Sequence, residues 1–141
     1  MIGNCIQAQL AANPAIAAIV GTRIFPQKKN QPIGGTTGEP ERPYVTYAVL
    51  SGGSGATLSG NTGIKSCRIQ TRCWGDLYFD VDPLRDAIEA VLDGVAFTQA
   101  GVQVLYSGLT DFGDDYEMPV DGDDLGAQEC SSDFKVCFRA A

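Results

Sequence analysis

The eleven residues "IKSCRIQTRCW" at 64–74 constrain this chain more than any other stretch. Cys67, Ile69, Thr71 and Cys73 alternate with Arg68, Gln70 and Arg72. Side chains on a strand point to opposite faces with a period of two, so this pattern demands a strand with one dry and one wet face. The dry face needs a second layer to bury it, and the wet face meets solvent or a partner. Both occupations of the Arg68–Gln70–Arg72 face stay open.

Other segments follow from the same reasoning. "PYVTYAVLS" (43–51) is rich in β-branched and aromatic residues and reads as a strand. In "SSDFKVCFR" (131–139), Phe134, Val136 and Phe138 point one way and Lys135, Cys137 and Arg139 the other. "RIFP" (23–26) is a short strand stopped by Pro26, and "VQVLYSGLTD" (102–111) is another. Residues 2–20 read as helix, with Ile2, Ile6 and Leu10 on one face. Asn13-Pro14 restarts it as cap and first-turn proline, and Gly21 stops it. A second helix is expected over 82–93, with Asp82 as N-cap, Pro83 in its first turn and Gly94 as its end. Its buried stripe is Leu84, Ile88, Val91 and Leu92; Arg85, Asp86, Glu89 and Asp93 form its wet face.

The order is α-β-β-β-α-β-β. The economical architecture is α+β, a mostly antiparallel sheet packed by two helices. With 141 residues the chain fits a single domain, 1–141, with long loops at 27–42, 52–63 and 111–130. No apolar run approaches the roughly 18 residues of a membrane span. The apolar opening lacks a basic n-region and is broken at Asn13-Pro14, unlike an export signal.

Residue types exclude whole classes of chemistry. There is no His, so Ser-His-Asp, Cys-His and imidazole base mechanisms are out. The five cysteines, Cys5, Cys67, Cys73, Cys130 and Cys137, include no C-x-x-C pair, which argues for reduced, partly buried thiols rather than zinc ligands.

The net charge of −7 resides in one place. "DFGDDYEMPVDGDDLG" (111–126) holds seven carboxylates, Asp111, Asp114, Asp115, Glu117, Asp121, Asp123 and Asp124, and no Lys or Arg. Carboxylate oxygens suit Ca²⁺ or Mg²⁺, but a calcium loop counted from Asp121 has Leu125 at its fifth position and Ser132 at its twelfth. A solvated loop is the simpler reading. "DFG" lacks every companion kinase motif, and "GGSGATLSG" lacks the lysine and following helix of a phosphate loop. Lys28 and Lys29, the only adjacent basic pair, are candidates for a partner contact, alongside Arg68, Gln70 and Arg72. No cofactor is called for. The acidic balance opposes tight binding to a phosphate backbone.

"LAANPAIAAIVGTRIFP", then "PYVTYAVLSGGSG", "CRIQTRCWGDLYFDVDPLRDAIEAVLDG" and "DFGDDYE…SSDFKVCFR" together resemble phage tail-completion proteins, the tail terminators of long-tailed phages. The resemblance spans nearly the whole chain. It implies a small α+β domain that acts without catalysis, assembling as a homo-oligomeric ring, commonly a hexamer, at the head-proximal end of the tail tube. Its implied partners are tube protein and head connector, at the tail-neck junction of the virion after assembly in the host cytoplasm. DNA would pass through unbound, and carboxylates 111–124 facing the channel would repel its phosphates. Two alternatives are another neck or connector component of similar fold, and a divalent-metal enzyme using those carboxylates.

Overall fold

The computed structural model describes residues 2–26, 42–57, 60–117 and 127–141. The chain runs α1 (Ile2–Ala11), α2 (Pro14–Val20), β1 (Ile24–Pro26), β2 (Tyr44–Thr57), β3 (Gly60–Gly75), α3 (Tyr78–Leu92), β4 (Val95–Gln99), β5 (Val102–Glu117) and β6 (Ala127–Ala140). Six strands form one sheet in the order β1-β2-β3-β6-β5-β4. Among the described residues only β1 and β2 run parallel; every other neighbour is antiparallel. The α+β architecture is as expected.

Each helix begins and ends for local reasons. Asn13 caps α2, its Oδ1 accepting the backbone N–H groups of Ala15 at 2.9 Å and Ile16 at 3.1 Å. Pro14 follows in the first turn, and Gly21, at φ 59°, turns the chain out. Helix α3 departs from expectation. It starts at Tyr78, so Pro83 lies inside it and Asp82 caps nothing. Instead Asp82 accepts hydrogen bonds from the Tyr78 hydroxyl and Arg85. The early start relies on Gly75, where a Cβ would stand 2.8 Å from Val81 Cγ1. That close approach seats the first turn of α3 on the end of β3.

Strands also run further than composition suggested. The glycine-rich stretch expected as a connection is strand through Thr57 on one side and from Gly60 on the other. Pairing to the neighbouring strand supplies what glycine side chains cannot. Likewise β5 continues through Glu117 and β6 starts at Ala127, so the acidic stretch begins as strand rather than loop. β4, not anticipated, adds an edge strand that pairs with the first half of β5. The expected loop at 27–42 lies outside the described residues but for Arg42.

The three helices of the described residues lie on one face of the sheet. Ile2, Ile6 and Leu10 of α1, Ile16 and Val20 of α2, and Val81, Leu84, Ile88 and Leu92 of α3 are buried there. They meet Val45, Ile69, Phe134, Val136 and Phe138 from the sheet. The predicted alternation of β3 holds: Cys67, Ile69, Thr71 and Cys73 are buried. α1 touches both β1 and β4, the two edges of the sheet, which therefore curls around it. Gln7 accepts the Tyr47 hydroxyl at 2.6 Å, and the Cys5 thiol bonds to the backbone of Gln99 in β4.

Phe134 is fully buried at the centre, opposite Ile69. Phe134→Ala is expected to cost about 3–5 kcal/mol of stability, whereas Asn13→Ala costs about 1 kcal/mol. Urea titrations followed by circular dichroism check both, and equal losses would contradict this layout.

Candidate interaction surface

The helix-free face of the sheet carries Arg68, Gln70 and Arg72, placed there because their neighbours in β3 are buried on the other side. β6 lies antiparallel beside β3 in uninterrupted register from Lys65↔Phe138 to Gly75↔Gln128. That register brings opposite charges together. Arg68 Nη2 donates to Asp133 Oδ2 at 3.0 Å, and Arg72 Nε faces Glu129 Oε1 at 3.3 Å. Arg139 donates to Gln103 Oε1 at 2.8 Å one strand further. The expected contact face is thus already knit by cross-strand pairs, and Gln70 sits between the two arginines. Lys28 and Lys29 lie outside the described residues.

At one end of this face an aromatic stack replaces charge. The rings of Tyr44 and Trp74 lie 6.0 Å apart at 14°, and Trp74 Nε1 donates to Thr46 Oγ1 at 3.2 Å. Trp74 is a packing residue. At the other end, where β2 is thinned by glycine, a groove of about 540 Å³ opens. Arg68 and Lys135 border it over the bare backbone of Gly52 and Gly53.

The acidic stretch divides. Asp111 Oδ1 accepts the backbone N–H of Phe112 at 2.9 Å, and Asp93 Oδ1 accepts that of Leu109 at 2.9 Å. Carboxylates thus occupy two N–H groups of β5 beyond its pairing with β4. Asp114 belongs to the helix-covered side, where it is bound by Arg85. The backbones of Asp115 and Glu117 pair with β6, and Asp121, Asp123 and Asp124 lie outside the described residues.

Arg85 corrects the expected wet face of α3, because it is buried. Its Nη2 donates to Asp82 Oδ1 at 2.9 Å, its Nη1 to Asp114, and its guanidinium carbon stands 5.7 Å from the centre of the Phe112 ring. Two carboxylates and a ring face offset the cost of burying the charge. Glu89, also placed on the wet face, instead accepts the hydroxyl of buried Ser132 at 3.1 Å. The signal for Arg85 was present: it follows Val81 by four residues and precedes Ile88 by three, within the buried stripe.

The thiols are all free. Cys73 and Cys130 sit opposite one another in the β3–β6 ladder, on its buried side. Burial pushes Cys67 up to about 11, and burial with the Asp114 hydrogen bond pushes Cys130 up to about 12. Burial raises Cys73 as well. Among the described residues, no group of three His, Cys, Asp or Glu is arranged to hold a metal ion.

Comparison with known proteins gives two likenesses. The family model described as tail completion protein gp17 matches residues 5–120. A chain in the solved virion of the native gene transfer agent particle superimposes with a TM-score of 0.70 at 13% identity, over 96% of this chain and 92% of that one. At that identity the likeness is one of fold. No curated protein sequence matches the chain.

Arg85→Met keeps the packing but strands Asp82 and Asp114. Both carboxylates are partly open to water, so the loss is expected to be about 1–3 kcal/mol, read from urea midpoints. A second measurement concerns pH. Folding raises the Cys67 and Cys130 thiol values above the ordinary 9.0, so their stabilisation is complete below pH 9 and is lost as pH climbs through 11 and 12. Melting temperature is therefore expected to fall above pH 9, and less steeply in a Cys67→Ala, Cys130→Ala double variant.

Proposed function

Because this chain belongs to the tail completion protein gp17 family and is thereby a structural tail protein, we propose that it assembles as a homo-oligomeric ring, a hexamer, on the head-proximal end of the tail tube. The ring ends tube polymerisation and offers its outer surface to the head connector, placing the protein at the tail-neck junction of the virion. Its action is structural rather than catalytic. The family match over residues 5–120 carries this reading.

Physical features support it. A face tied across strands by the Arg68–Asp133 and Arg72–Glu129 ion pairs suits a shell wall rather than a reactive cleft. In this reading the carboxylates beyond Asp114 face the channel and keep DNA moving by repulsion. Asp114 itself is committed to Arg85 and takes no part.

Electron microscopy of the purified protein, alone and with tube protein, is the deciding experiment. We expect rings on one end of each tube, arrested tube growth, and acidic segments lining the lumen. Protein that neither forms rings nor binds tube ends would overturn the proposal. Rings that leave tube ends bare would move it to another position in the neck, and acidic segments on the outside would remove the DNA role alone.

A further inference from the structure

Two surfaces of the chain complement each other but cannot meet within one molecule. The first is a knob. Phe79, in the first turn of α3, is 84% exposed, with Leu77 and Tyr78 also exposed beside it. The Tyr78 and Phe79 rings meet edge to face at 6.4 Å between centroids. The sequence around the knob is acidic, with Asp76, Asp80, Asp82 and Asp86, and within the chain Asp76 is paired to Arg42 and Asp82 to Arg85. Asp80 and Asp86 remain as exposed negative charge.

The second surface is the glycine-floored groove of about 540 Å³. Its charged borders are Arg68 and Lys135, with Ser66, Cys67 and Thr110 completing the lining over Gly52 and Gly53. Both cations lie directly opposite one another in the β3–β6 register. Asp133 takes up one of the two charges, through Arg68. The groove therefore presents a floor free of side chains beneath net positive charge. That combination suits an aromatic ring carried on an acidic turn, because cations beside a ring face attract it.

Position decides the occupant. The knob stands on the helix-covered side of the sheet beside the C-terminal end of β3. The groove opens on the helix-free side at the N-terminal half of β3. One chain cannot fill its own groove. A contact between two different patches of the same chain is heterologous, and repeated around a closing rotation it generates a ring.

We propose that the Phe79 turn of one copy docks in the Gly52–Gly53 groove of the next copy, between its Arg68 and Lys135. This names the subunit contact of the ring and rests on that reading. The aromatic knob supplies buried area at low conformational cost, and the charges set the orientation. It also gives a role to the exposure of Phe79 and Lys135.

The test combines two variants with a mapped cross-link. Phe79→Ala and Lys135→Glu are each expected to weaken self-association on the order of tenfold or more in sedimentation velocity, as central contacts do. Their melting temperatures should stay close to that of the parent, since both side chains are exposed. A photo-reactive benzoylphenylalanine at position 79, irradiated in the assembled sample with tube protein, should cross-link to peptides containing 51–53, 66–68 or 135 of another copy. Rings that persist in Phe79→Ala, or cross-links that map elsewhere, would overturn this contact and leave the ring reading standing. A chain that stays monomeric with and without tube protein would overturn both.

Discussion

The pairing of β3 with β6 holds the structure together. It joins strands separated by some sixty residues, at the centre of the sheet, and its register runs without a shift. On the buried side it sets Ile69 against Phe134 and Cys73 against Cys130; on the other it sets Arg68 near Asp133 and Arg72 near Glu129. A slip of one residue would turn every one of these side chains to the wrong face. Hydrophobic burial and charge pairing therefore specify the same register independently, which is the mutual support expected of a well-defined fold. The other strands add outward from this pair, and the shifts in register fall only in β2–β3, β4–β5 and β5–β6.

Much of this was legible in the sequence where a local rule met a one-sided environment. The period of two in 64–74 was readable because one face is buried and the other charged. The break at Asn13-Pro14 was readable because capping is a contact within three residues. Where distant partners decide, local rules misled. Asp82-Pro83 has the form of a helix start, yet α3 begins a turn earlier because Gly75 lets Val81 approach. Arg85 has the chemistry of a surface residue, yet Asp114 from a distant strand makes its burial tolerable. Glycine gave no strand signal at 52–57, since pairing rather than side-chain pattern makes that segment a strand.

The candidate surface shows the same division. Arg68, Gln70 and Arg72 were correctly placed on one face, but not their partners, which come from β6. Seven carboxylates in one stretch look like a single feature in the sequence. In the fold two of them part company: Asp111 satisfies backbone at a strand edge, and Asp114 turns inward to a buried guanidinium. Alternation along a strand gives acids an odd number of positions apart unrelated tasks.

The contact of α1 with both β1 and β4 bears on how the chain is made. A helix held between the two margins of a sheet has no complete seat until the strand at 95–99 exists. The N-terminal segment leaves the ribosome first, yet its final berth is built from residues nearly a hundred positions later. Its apolar side, with Ile2, Ile6 and Leu10, lacks part of its cover until that strand has been made.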